Sequence, residues 1–137
     1  MKSKTKKEKS KMEWEEAREI KREIQKIVKI LELEYIKPSR IFCFRTIGSV
    51  SRSYARIWSF PKIFQTALVI EPAYVIEVLS KHFDKLNDEQ KTMVLIHELM
   101  HIPKNFSGAL LPHRGRNRHL EHDAKRLFIE YKKRTKE

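Results

Sequence analysis

The sequence predicts an α+β domain, and three observations support this prediction. Amphipathic helical patterns lie near both ends of the chain, at about residues 12–35 and 117–133. Short segments rich in β-branched and aromatic residues lie between them, and a capped apolar helix follows those segments. Strands and helices separated along the chain in this way are typical of α+β domains. With 137 residues the chain can build one hydrophobic core, so we expect one domain over residues 12–137.

The first half of the domain is predicted as a helix followed by strands. Apolar residues recur at helical spacing from Ile20 to Leu31, so a helix is expected from Met12 to about Tyr35, ending before Pro38. The segment RIFCFRTI, residues 40–47, is predicted to be a strand. Residues 53–70 are expected to form one or two further strands. AYVIEVLS, residues 73–80, is another strand candidate, although its length also permits a short helix.

Two helices complete the predicted domain. Asn87 is a suitable N-cap, and Gln90 three residues later completes a pattern that resembles a capping box. This helix should run to about Ile102, before Pro103. A last helix is expected from about Asn117 to Lys133, and its apolar stripe consists of Leu120, Ala124, Leu127, Phe128 and Tyr131.

Composition excludes several classes of protein and of site. No run of about 18 apolar residues is present, so no membrane-spanning helix is expected. The basic N-terminus is not followed by the apolar core of a signal peptide, and we expect a cytoplasmic protein. Cys43 is the sole cysteine, which excludes an intrachain disulfide and a cysteine-rich zinc site. A metal in this chain must therefore be held by His, Asp or Glu.

The net charge of +12 is concentrated at the two ends of the chain. Residues 1–12 carry six lysines against Glu8, and residues 114–137 carry nine Lys and Arg against four acids. Residues 1–11 are of low complexity and are predicted to be a disordered tail. Basic ends favour non-specific contact with nucleic acid or with an acidic protein surface. No nucleic-acid recognition motif accompanies the charge, so sequence-specific recognition is not expected.

The helix after Asn87 carries the most informative motif, His97-Glu98-x-x-His101. Residues four apart lie about 40° from each other around a helix axis, so both imidazoles can reach one metal ion. Glu98 lies beside them, where its carboxylate can reach a water on that ion without binding the ion. Zinc with three protein ligands keeps one position for water and lowers the pKa of that water, and a carboxylate can then take its proton. The pattern therefore predicts a catalytic metal site.

The third ligand must come from the residues after His101. His113 follows in a loop that can double back, whereas Glu121 lies on the edge of the buried face of the last helix. His119 and His122 fall about 140° and 160° from the middle of that helix's apolar stripe, and they should face water. The sequence favours His113 and leaves Glu121 as the alternative.

At these residues the chain resembles known proteins. H-E-x-x-H on a helix is the zincin signature, and HELMHIPKNFSGALLPHR resembles a small group of predicted archaeal metallopeptidases related to the phage metallopeptidase domain. The resemblance extends from SYARIWSFP to His113. It implies a minimal zincin-like fold, with His97, His101 and His113 as zinc ligands and Glu98 as the catalytic acid and base.

Two functions follow from these observations. The first is a zinc-dependent metallopeptidase that hydrolyses peptide bonds and holds an extended peptide or protein substrate against an edge of the sheet, for which AYVIEVLS is the expected strand. The alternative is a basic module that binds nucleic acid or protein, in which the histidines hold a structural metal or none. An open coordination position facing Glu98 favours the first, and a closed site of four ligands favours the second.

Overall fold

The computed structural model describes residues 11–113 and 119–136, and this part of the chain forms a mixed α+β domain. Four strands form one sheet in the order β1-β2-β4-β3. β2 and β4 are parallel, whereas β1 and β3 join the two edges in antiparallel orientation. The elements in chain order are β1 (Glu13–Glu16), α1 (Arg18–Ile30), β2 (Ile41–Ile47), β3 (Ala55–Trp58), α2 (Lys62–Leu68), β4 (Tyr74–Leu79), α3 (Ser80–Phe83), α4 (Asp88–Leu99) and α5 (Leu120–Thr135), with a 3₁₀ turn at Pro38–Arg40.

The first predicted helix is shorter than the sequence suggested. Its apolar stripe is buried as expected, but residues 13–16 form β1, which pairs with β2 from Glu13 opposite Ile47 to Glu16 opposite Phe44. The segment EWEE offers a helix no apolar stripe to bury, whereas pairing with β2 satisfies its backbone. The helix ends at Ile30, and Glu32 takes a left-handed conformation (φ 54°) that breaks the helical run to Tyr35.

The central strands confirm two predictions and correct two others. RIFCFRTI contains β2, and AYVIEVLS contains β4. β4 lies between β2 and β3, so the expectation that it forms an edge of the sheet was wrong. Residues 53–70 form one strand, β3, and then the helix α2 instead of a second strand. The buried side chain of α2 is Gln65, whose amide donates to the carbonyls of Phe60 and Ser107, so tertiary hydrogen bonds override local strand propensity here.

The core lies between one face of the sheet and helices α1, α4 and α5. It consists largely of fully buried aliphatic side chains from these elements, among them Ile24, Ile27, Ile41, Ile76, Val78, Leu95, Leu99 and Ala124. The capping box at Asn87 and Gln90 is formed as predicted. α5 begins at Leu120 and buries or half-buries the predicted stripe, whereas the predicted start at Asn117 lies outside the described residues.

The other face of the sheet carries large side chains that do not belong to this core. Cross-strand register places Trp14, Phe42, Phe44, Trp58 and Val75 together on it. None of the helices in the described part of the chain is both long and apolar enough to cross a membrane. The predicted basic tail, residues 1–11, lies outside the described residues except for Lys11.

Candidate metal site

Helix α4 and the loop that follows it bring three histidines together. One ligand atom from each of His97, His101 and His113 lies within 4.8 Å of those of the other two. The ring centroids of His97 and His101 are 5.3 Å apart, and His113 lies 5.1 and 4.4 Å from them. The Nε2 atoms of His97 and His113 are separated by 3.0 Å. Two nitrogen ligands of a tetrahedral zinc ion stand roughly 3.3 Å apart, so the spacing of this pair is close to that of two zinc ligands.

The loop from Met100 to His113 turns back because several hydrogen bonds hold it against the domain. The Leu111 N–H donates to the His101 carbonyl (2.7 Å). The Tyr74 hydroxyl accepts from the Gly108 N–H and donates to the Ala109 carbonyl, both at 2.8 Å. Gly108 has φ +95°, and a Cβ at this position would collide with the Phe60 carbonyl and the Gln65 amide. Glycine is therefore required where the loop passes α2, and the turn carries His113 back to α4.

His101 is oriented by the same loop. Its Nδ1–H donates to the Leu111 carbonyl (2.6 Å), which leaves Nε2 with a free lone pair. A backbone carbonyl that fixes the tautomer in this way is a common partner of metal-binding histidines. Burial lowers the pKa of His101, and the hydrogen bond to Leu111 and the neighbouring His113 act on that pKa in opposite directions. The lowered pKa favours the neutral ring, which is the form of histidine that binds a metal.

The pKa of His97 is lowered like that of His101. Burial lowers its pKa, the imidazoles of His101 and His113 lower it further, and the carboxylate of Glu121 raises it. Glu121, the alternative third ligand, is thus near enough to act on His97 through its charge, but it is exposed and does not belong to the cluster. His119 and His122 are both exposed, as predicted for residues that face water.

Glu98 is buried beside the histidine pair. Burial raises the pKa of its carboxyl to about 7, and a hydrogen bond from the backbone of Ile57 opposes that shift. Ile57 belongs to β3, so Glu98 lies where the edge strand passes α4. The sequence motif located Glu98, but no sequence signal identified Ile57 as its backbone partner, because that contact depends on strand order.

A recess of about 510 Å³ lies one helical turn from His97 along α4 and is lined by none of the three histidines. Apolar side chains from α4, α5 and two loops form much of its wall, and they include Tyr54, Leu86, Met93, Val94 and Phe128. Met93 and Val94 precede His97 by four and three residues, so they lie on the histidine face of α4, one turn away. Its volume falls in the range of ligand pockets. A larger groove of about 560 Å³ between α1, α4 and α5 is lined by charges of both signs and by none of the three histidines.

A metal site that acts on a carbonyl needs a hydrogen-bond donor beside the metal, and Tyr74, Tyr131 and Arg114 are candidates by residue type. The fold gives Tyr74 a different role. Its hydroxyl holds the loop that carries His113, and its ring packs edge-on against Phe106 at 5.0 Å. Tyr131 is buried in α5 within the core. Arg114 lies outside the described residues.

The fold and the cluster together define a small α+β domain with a candidate mononuclear metal site. Comparison with protein families agrees with this class. The sequence model of the family described as "Putative phage metallopeptidase" matches residues 12–132, and the chain belongs to that family. No curated protein and no solved structure matches the chain.

Proposed function

We propose that this chain is a zinc-dependent peptidase of the zincin type, with His97, His101 and His113 as ligands and Glu98 as general base. The observation that carries the proposal is the convergence of the three imidazoles in a member of a metallopeptidase family. A set of three imidazoles suits zinc, and the 3.0 Å between the Nε2 atoms of His97 and His113 is near the spacing of two ligands on a tetrahedral ion. No carboxylate or thiol among the described residues joins the cluster, so the metals that prefer oxygen ligands are disfavoured.

His97, His101 and His113 would hold a bound zinc ion with three protein ligands, the number found in catalytic sites that also bind water and fewer than the four of structural zinc sites. When bound, zinc would polarise the scissile carbonyl and make a water molecule more acidic. Glu98 then takes the proton from the attacking water and delivers it to the amine that leaves. The low polarity around Glu98 strengthens this role, because a buried carboxyl holds a proton more readily than an exposed one.

The substrate would be an extended peptide that pairs with the outer edge of β3. This strand lies at an edge of the sheet and passes Glu98 at Ile57. Extended peptides add to exposed edges through backbone hydrogen bonds, which bring a scissile bond to a fixed place whatever the side chains are. The sequence predicted that the peptide pairs with β4, and the strand order replaces β4 by β3. Addition of an extended peptide to an edge of the sheet remains the proposed mode of binding.

The recess beside Met93 and Val94 would take a substrate side chain. It opens on the histidine face of α4, and Tyr54 at its wall directly precedes β3. A peptide antiparallel to β3 runs from the Trp58 end toward Tyr54, so its residues after the scissile bond pass the recess. The apolar wall favours an aliphatic or aromatic side chain there.

The test is zinc analysis combined with peptide cleavage. Protein prepared without a polyhistidine tag should hold about one zinc per chain, and His97→Ala or His113→Ala should lose it. His122→Ala is the matched control, because His122 is exposed and outside the cluster. Glu98→Gln should keep zinc and lose about 10²–10⁴ of the cleavage rate.

Two results would contradict the proposal. If His113→Ala keeps zinc while Glu121→Ala loses it, the last helix supplies the third ligand. If the zinc-loaded parent cleaves no member of a broad peptide library, the protein is better explained as a binding module with a structural metal.

A further inference from the structure

The open face of the sheet, formed by Trp14, Phe42, Phe44, Trp58 and Val75, is exposed although it is aromatic. The exposed fractions of Trp14, Phe42 and Trp58 are 60%, 43% and 52%. These side chains come from β1, β2 and β3, and the register aligns both Phe42 and Trp58 with Val75 on β4. Neighbouring strands lie about 4.8 Å apart, so Phe42 and Trp58 stand roughly 10 Å apart across the sheet. A shallow hollow of about 150 Å³ joins Trp14, Phe44 and Trp58.

Cations border the aromatic rings of this open face. The Arg40 guanidinium lies 5.7 Å and the Lys21 ammonium 5.9 Å from the centre of the Phe42 ring, and Arg56 lies 5.8 Å from Trp58. Lys21 and Arg40 donate to backbone carbonyls, and neither pairs with a carboxylate of the described residues. Their positive charge is therefore available to a ligand.

The acids on the open face do not cancel this charge. Glu77 is buried, accepts from Trp58 Nε1 (2.9 Å) and from Thr46, and pairs with Arg56 Nε at 3.3 Å. Glu16 also lies on the open face and is exposed. Among the described residues at this face, three cations, Lys21, Arg40 and Arg56, thus stand against two acids, Glu16 and Glu77. The balance around the face is positive.

We propose that this open face binds single-stranded nucleic acid by stacking bases on Phe42, Trp58 and Trp14. Exposed aromatic rings on a four-stranded sheet with flanking cations are the arrangement by which other sheets bind single strands. Every base has a flat face, so stacking requires no sequence motif and agrees with the absence of one here. A duplex cannot bind in this way because its bases are already stacked and paired. The site is on the opposite side of the sheet from α4 and is independent of the metal.

Binding of a single strand to the open face can be measured by tryptophan fluorescence. Trp14 and Trp58 are the two tryptophans of the chain, and both lie on the open face. Titration of the full chain with a short oligothymidylate should quench tryptophan fluorescence, whereas a duplex of equal length should not at the same salt concentration. Phe42→Ala, which leaves both tryptophans in place, should weaken the single strand about 5- to 150-fold, the effect of losing one stacked base.

Phe64→Ala is the matched control. Phe64 has the same exposed fraction as Trp58, 52%, but lies on α2 outside the open face, so its removal should leave the affinity unchanged. The thermal midpoint of each variant shows whether it folds. Peptide cleavage should be unaffected by Phe42→Ala, which separates this proposal from the peptidase proposal.

Three results would overturn the proposal. Binding without quenching, and with no effect of Phe42→Ala, would assign all affinity to the basic tail. Equal affinity for single strand and duplex would mean that phosphate attraction alone acts. Quenching by an apolar peptide in place of the oligonucleotide would make the open face a protein-binding surface.

Discussion

Replacement of Tyr74 by Phe tests whether the loop that carries His113 is held by one hydroxyl group. Tyr74 is fully buried, and its hydroxyl joins the Gly108 N–H to the Ala109 carbonyl. Phe keeps the ring and its edge-on contact with Phe106. The buried Gly108 N–H loses its partner, which costs about 1–3 kcal/mol, whereas the exposed Ala109 carbonyl can turn to water. The free energy of unfolding should fall by about 2 kcal/mol.

The assay is urea unfolding of the metal-free protein. With a slope of about 1–3 kcal/mol per molar urea, a loss of about 2 kcal/mol lowers the midpoint by about 1 M. Zinc affinity should also fall, by no more than about tenfold, because Leu111 still holds His101 directly. Tyr54→Phe is the control, since Tyr54 is 47% exposed and lies outside the loop that carries His113. An unchanged midpoint for Tyr74→Phe would refute the reasoning, because the Gly108 N–H would then have another partner.

Three further predictions follow from single side chains or segments. Asn87→Ala removes the capping box of α4 and should cost about 0.5–2 kcal/mol by the same unfolding assay, whereas Asn105→Ala, in an exposed loop position, should cost little. Burial raises the pKa of the Cys43 thiol to about 11 from 9.0, so the folded state favours the protonated form. Stability should therefore decline as pH rises from about 9 to about 11, and Cys43→Ala should remove that part of the decline. Deletion of residues 1–11 removes six lysines and should flatten the slope of log affinity against log salt in nucleic-acid binding. An unchanged slope would show that these residues do not contact phosphates.

The parts of the structure that depend on local sequence were predictable. The cap at Asn87, the helix that bears His97 and His101, and the stripe on α5 all arise from spacings within one element. The strand identity of residues 41–47 and 74–79 came from their β-branched and aromatic content. These features need no knowledge of distant partners.

The parts that depend on tertiary partners were not predictable. The position of β4 inside the sheet follows from its pairing with both β2 and β3, which no local pattern encodes. Residues 13–16 resembled the start of a helix because their pairing with β2 is not visible in their own spacing. The segment that forms α2 has a strand-like composition, but its helix is held by hydrogen bonds from Gln65 to residues as distant as Ser107. The sequence favoured His113 over Glu121 as third ligand, and the loop geometry that brings it near His97 becomes visible only in the fold.

The three histidines lie within residues 97–113, so a bound ion would cross-link only a short span of chain. Closing a loop of this size costs less chain entropy than closing a long one, and the ion would tie the end of α4 to its own loop without involving α1 or α5. Removal of the ion should then speed amide hydrogen exchange mainly in residues 100–113, and α1 should keep its protection. The metal would set the local opening of this loop, while the apolar core sets the stability of the domain as a whole.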